Sequence, residues 1–159
     1  MLEWLTGTTL GKLLTTFFIS MLPVVELRLG LPYGIALGLD FPLALAAALL
    51  GNMLPVPFII IYIHRVFIWL RKHYAKMDSF ITKLENKANL KGETVQKYGP
   101  LGLLIFVAIP LPGTGAWTGA LIAALLNMRL KSAVPCIFLG VCIAAAIMTG
   151  ITFGVVHII

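Results

Sequence analysis

Charge is scarce in this chain. Only 11% of its 159 residues are Asp, Glu, Lys or Arg, while 60% are apolar and the mean hydropathy is +1.00. A soluble domain carries about 25% charged residues, so a water-soluble fold is excluded and a single integral membrane domain over 1–159 is expected. There are two cysteines, Cys136 and Cys142, six apart in one apolar segment. On a helix they face different directions, which excludes a disulfide between them, and no metal-ligand spacing accompanies them. Packing is the role left to them. A nucleophile motif, a metal-ligand set and a glycine-rich phosphate loop with its lysine are all missing, so an enzyme or an ATP-driven pump within this chain is not expected and no cofactor is implied. The first apolar run lacks the strongly basic flank and small-residue cleavage site of a signal peptide. Basic residues are not interleaved with aromatic ones, which argues against nucleic acid as a partner.

The charge that is present is arranged. Eight of the twelve Lys and Arg residues lie between Arg65 and Lys97, and Arg129 and Lys131 follow later. This positive-inside bias puts the loop 72–98 in the cytoplasm. Around it the apolar segments have unequal lengths. Residues 8–22 would make about 22 Å of helix. That is too short for a hydrocarbon core of about 30 Å. A break follows at Pro23–Arg28, then a second apolar arm carrying Gly30, Gly34 and Gly38, and a boundary at Asp40. Residues 8–40 therefore read as a re-entrant hairpin, with the glycine stripe as a surface for close helix approach and a candidate homodimer contact. Residues 42–70 read as the first transmembrane helix, kinked by Pro55 and Pro57. Trp69 is its interfacial aromatic, and His64 and His157 are interfacial residues near span ends. Residues 73–97 read as a cytoplasmic amphipathic helix, with Tyr74, Met77, Ile81, Leu84 and Ala88 on one face and Lys76, Lys83 and Lys87 near lipid headgroups. Residues 99–128 repeat the hairpin shape, broken at Pro110-Leu111-Pro112-Gly113-Thr114-Gly115, and 132–157 read as the second transmembrane helix. Shifting by 87 residues lays Pro23 on Pro110, Ile35 on Ile122 and Asp40 on Asn127. The expected fold is thus an all-α membrane protein built as an inverted repeat, each unit a re-entrant hairpin plus a spanning helix, with both termini outside.

Two ionisable residues sit inside the first break, in Pro23-Val24-Val25-Glu26-Leu27-Arg28-Leu29-Gly30-Leu31-Pro32. A charge at bilayer depth survives only when paired, hydrated or lining a cavity, and it marks a functional site. In extended backbone Glu26 and Arg28 would project to the same side. Glu26 is then a candidate protonation site and Arg28 an anion site or its counter-charge; the structural alternative is a static ion pair between hairpins, a poor stabiliser. In the second break prolines free carbonyls and glycines admit close backbone approach. Pro110, Pro112, Gly113, Thr114, Gly115 and Thr118 are accordingly candidate substrate- or ion-binding residues, helped by a half-helix starting near Ala116. Asn52, mid-span beside Gly51, is a further candidate, with interhelical hydrogen bonding as the plainer role. Trp117 and the methionines 53, 128 and 148 read as packing residues.

The stretch from Pro23 to Gly34 and the stretch Ile109-Pro110-Leu111-Pro112-Gly113-Thr114-Gly115-Ala116-Trp117-Thr118-Gly119-Ala120 resemble the two signatures of the small multidrug export protein family, a prokaryotic membrane family of about this length. More distantly they are similar to the DedA/VTT membrane proteins. That resemblance implies two inverted re-entrant hairpins and a link to lipid movement or proton-linked transport. In that group an acidic residue follows the first proline-rich tip, as Glu26 does here. An arginine usually occupies the second tip, which this sequence lacks unless Arg28 supplies it from the first.

Together these features imply a small secondary transporter of a prokaryotic inner membrane, proton-coupled or facilitative, with a midplane site between two hairpin tips and a homodimeric state. A lipid or lipid-phosphate flippase or scramblase is the alternative on the same fold. A non-transporting scaffold using the basic helix is the alternative of a different class.

Overall fold

The computed structural model describes the backbone of residues 7–111 and 113–156, with side chains for all of these but 75–77, 88, 91, 94 and 152–156. Among the described residues the chain is helical throughout, without strands. Its helices are α1 (Thr9–Ser20), α2 (Glu26–Ala36), α3 (Phe41–Met53), α4 (Pro55–His73), α5 (Ala75–Lys91), α6 (Glu93–Tyr98), α7 (Pro100–Ala108), α8 (Ala116–Leu125) and α9 (Leu130–Val156).

Helix length follows the punctuation in the sequence. Pro23 closes α1, and Asp40 with Pro42 opens α3, where proline is tolerated because the first turn lacks acceptors for its N–H. Four of the apolar helices are short: α1 and α2 rise about 18 and 16 Å, α7 and α8 about 14 and 15 Å. None of them alone crosses a hydrocarbon core of about 30 Å. Two elements are long and apolar enough to cross: the 33-residue run Phe41–His73, formed by α3 and α4 through Leu54, and Leu130–Ile151 within α9. Pro55 sits at the first position of α4, so the expected interruption of the span falls at the α3–α4 junction. Pro135 is accommodated inside α9.

The short helices pack against the long ones. Helix α1 packs on α2 and both pack on α3; α7 packs on α9 and α8 on α4, and α2 reaches across to α9. One continuous core results, in which Leu27 and Leu31 of the first pair join Ala48, Leu103, Ala120 and Ile137. His64, although exposed, bonds the Ala124 carbonyl through Nε2 (2.8 Å), tying α4 to α8. It is therefore a helix-to-helix tether, a role the sequence did not suggest; His157 lies outside the described residues.

Three further expectations change. Gly30 and Gly34 of the glycine stripe do not face outward. A Cβ on Gly34 would stand 2.8 Å from Thr16 Oγ1 and 3.2 Å from Ala44 Cβ, and Gly30 lies against Ser20. These two are consumed in seating α2 on α1 and α3, so they are not a homodimer contact. Gly38 has φ +79° and ends α2 as a left-handed cap. The amphipathic helix is two helices divided at Gly92, and its buried Ile81 packs toward protein, since α5 lies on α4 and α8. Lys83 and Lys87 stay exposed, whereas the side chains of Lys76, Met77 and Ala88 lie outside the described set. Arg71 on α4 holds α5 by ion pairs to Asp78 (3.2 Å) and Glu85 (2.6 Å), both partly exposed and worth little individually. Lastly, Pro32 does not break the chain: it lies inside α2, which runs from Glu26 to Ala36.

Candidate functional site

Helix α1 ends at Met21, whose N–H bonds the Phe17 carbonyl at 3.1 Å, and the chain turns over Leu22–Val25. Glu26 closes the turn by donating its N–H to the Leu22 carbonyl (3.0 Å), and it does so at φ +49°. A left-handed backbone at a non-glycine residue costs about 1–2 kcal/mol and needs surrounding contacts to hold it. Glu26 is also the first residue of α2, so it and Arg28 are two helical steps apart, roughly 200° around the axis. The extended geometry expected for the pair does not occur because the helix begins three residues earlier than the proline spacing suggests. Among the described ion pairs none joins Glu26 to Arg28. Both side chains instead reach the second tip.

Arg28 grips the loop between α7 and α8. Its Nη1 donates to the Leu111 carbonyl, and its Nη2 donates to the Ile109 carbonyl (3.2 Å) and to Thr114 Oγ1 (3.0 Å). These carbonyls are available because Pro110 and the turn that follows interrupt helical pairing. Thr114 organises the same loop. Its hydroxyl lies 2.6 Å from the Ile109 carbonyl and 2.8 Å from that of Leu111, donating its single proton to one of them, while it accepts the Leu111 N–H at 3.2 Å. Gly113 turns the chain at φ +79°. A planar guanidinium fork suits two carbonyls on one loop as a lysine would not.

Glu26 grips the helix that starts beyond that loop. The first amides of α8 lack internal partners, and its N-cap, Gly115, has no side chain to satisfy them. Glu26 Oε1 accepts the Trp117 N–H at 3.2 Å, acting as a cap from 91 residues away. The positive end of α8 thus faces a carboxylate. Gly115 is required by this approach: a Cβ there would overlap the Glu26 carboxylate, lying 2.5 Å from Oε1 and nearer still to Oε2. Trp117 also donates its indole Nε1–H to the Met21 carbonyl at 3.1 Å, returning a bond to the C-terminal end of α1. Sequence reasoning treated Trp117 as packing; the signal that identifies it is that a buried indole N–H needs an acceptor.

Two cavities adjoin the junction. One, of about 490 Å³, is lined by Pro23, Glu26, Arg28, Pro110, Gly113 and Met148 among others. The second holds about 10 Å³ and lies between Glu26, Arg28, Asn52, Val107, Ala116 and Val141. Asn52 is 2% exposed, and its Oδ1 has no hydrogen-bond partner among the described residues. Of the residues singled out from sequence, Glu26, Arg28, Pro110, Gly113, Thr114, Gly115 and Asn52 gather here. Thr118 lines neither cavity, and Pro112 lies outside the described residues.

Two apolar helices of spanning length, enclosing a buried polar junction in an otherwise apolar chain, define a membrane-embedded helical protein. Residues 26–147 match the model of the family described as putative small multi-drug export protein, and the chain belongs to that family. That match begins at Glu26 and takes in both tips. No curated protein and no solved structure matches the chain.

Proposed function

We propose that the protein is a small secondary transporter, proton-coupled or facilitative, whose site lies where the α1–α2 and α7–α8 tips meet. In this reading the two short pairs are re-entrant hairpins reaching the bilayer midplane, and each forms with its long helix one unit of an inverted repeat. The half-membrane lengths of these four apolar helices support it, as does the packing of α1 and α2 on α3 and of α7 on α9. Loop 72–98 would then lie in the cytoplasm of a prokaryotic cell. Any homodimer would use a face other than the glycine stripe.

The observation that carries the proposal is the position of Glu26. It is a 6% exposed carboxylate in an apolar chain, seated against a helix N-terminus and beside a cavity of about 490 Å³. Structure alone does not require a charge there, since a neutral acceptor would cap α8. An ionisable group so placed suits proton uptake and release coupled to substrate. Transport, rather than catalysis, uses what the residues offer. A small substrate would occupy the larger cavity, with Arg28 beside it and Pro110 and Gly113 on the opposite wall.

The test is substrate-driven proton movement in proteoliposomes containing a pH-sensitive dye, screened with lipid phosphates and organic cations. A signal present in wild type and lost in Glu26→Gln supports the carrier. A signal that survives in Glu26→Gln refutes Glu26 as the coupling group.

Lipid translocation is the second reading. Val24 and Leu29, which line the larger cavity, are 89% and 58% exposed, an apolar margin that suits an acyl chain lying against the cavity. Arg28 also places a guanidinium on the second tip, where the DedA/VTT proteins usually carry an arginine. Fluorescent-lipid flipping in liposomes without a proton signal would select this reading.

A further inference from the structure

The small cavity brings to Glu26 and Arg28 one polar group, Asn52, that the transport reading does not use. Its polar lining consists of the Glu26 carboxylate, Arg28 and the Asn52 amide, while α7, α8 and α9 bring only Val107, Gly115, Ala116, Val141 and Ala144. Glu26 and Arg28 are the charged groups facing it. The Arg28 terminal nitrogens donate to the 109–114 loop. The Asn52 Oδ1 is fully buried and has no donor among the described residues, an arrangement that is unfavourable in a protein interior unless a guest supplies the missing partner. The cavity, about 10 Å³, has room for about one water molecule. Two hard oxygen acceptors, one of them anionic, thus face a single-guest space in a low-dielectric surrounding.

We propose that this cavity binds one small monovalent cation, with the Glu26 carboxylate and Asn52 Oδ1 as its protein ligands. Sodium and hydronium share the required chemistry: water-sized, positively charged and suited to carboxylate and amide oxygens. Asn52 is then an ion ligand contributed by the first spanning run, and it joins α3 to the junction of the two tips. The inference rests on the reading of Glu26 as an ionised group at the transport site, yet binding is measurable without transport.

Trp117 supplies the readout, because its backbone N–H bonds the same carboxylate. In the full chain carrying Trp4→Phe and Trp69→Phe, Trp117 is the remaining tryptophan. Removing Trp69 also removes a second emitter, which is stacked on His73 (4.7 Å). The detergent-solubilised protein is titrated with sodium chloride against choline chloride at constant ionic strength, and separately with acid. The expected result is a saturable change in Trp117 emission with sodium, weakened about tenfold or more in Asn52→Leu, and abolished in Glu26→Gln. Asn52→Asp, which keeps the size and adds a charge, tightens the response and guards against a misfolded leucine variant. A sodium-silent protein whose acid titration disappears in Glu26→Gln, and shifts by about a pH unit or more in Asn52→Leu, assigns the site to hydronium. The proposal is overturned if neither titrant moves Trp117 emission. It is equally overturned if both Asn52 variants respond as wild type does. Such a failure alongside a Glu26-dependent transport signal would remove the ion site and leave the transporter standing.

Discussion

Replacing Gly115 with alanine isolates the contact on which the junction depends. The backbone at Gly115 has φ −88° and ψ −166°, which alanine adopts without strain, so any cost arises from what the methyl meets. It meets the Glu26 carboxylate, 2.5 Å from Oε1. The carboxylate must then swing away and release the Trp117 N–H. A hydrogen bond to a charged group is worth about 1.5–3 kcal/mol. Bonds inside membranes tend toward the low end of such ranges, with an upper value near 1.7 kcal/mol. Gly115→Ala is therefore expected to destabilise by about 1.5–1.7 kcal/mol, a fall of roughly 3–7 °C in midpoint for a chain of this size. In a Glu26→Ala background the obstacle is gone, and the same substitution is expected to cost no more than about 1 kcal/mol, the ordinary penalty of alanine at an N-cap. Thermal unfolding in detergent of the four proteins of this double-mutant cycle measures the coupling directly. Equal costs in both backgrounds would refute the idea that Gly115 exists to admit Glu26.

Arg28→Lys keeps the charge and loses the fork, so at most one of its three bonds to the second tip survives; a loss of about 1.5–3 kcal/mol in thermal unfolding is expected, together with reduced transport. Trp117→Phe retains the ring and removes the N–H to Met21, costing about 0.5–1.5 kcal/mol by the same assay, with no cost at all counting against that bond. Gly34→Ala forces a methyl to within 2.8 Å of Thr16 and should cost about 1–3 kcal/mol while leaving the oligomer unchanged on native mass measurement; a changed oligomer would return the stripe to the surface.

The parts of the fold that were legible in the sequence are those set by local chemistry. Proline marks the ends of α1 and α7 whatever surrounds them, because it removes a donor. A 33-residue apolar run announces a spanning helix by length alone. The basic cluster from Arg65 to Lys97 shows as a polar interruption for the same reason. Glu26 and Arg28 stood out as candidates because charge is costly in an apolar chain, a cost that depends on composition and not on contacts.

Contacts between distant segments were not legible. Gly30 and Gly34 read equally well as an outward stripe and as a seat for α1; only the position of Thr16 and Ser20 on the neighbouring helix decided for the seat. Glu26 and Arg28 looked like partners because they are two residues apart. The helix that begins at Glu26 turned them apart, and each found its partners more than 80 residues away. Trp117 carried no local sign of its two donors' targets. Sequence alone therefore determined that this is a membrane-grade helical chain with two broken segments and a buried charge, since hydropathy and proline act residue by residue. Only the tertiary structure decided that the two breaks meet, that a carboxylate from one caps the helix of the other, and that Asn52 faces the same small cavity. Those facts depend on side chains far apart in the chain competing for a few unpaired backbone groups in a medium without water.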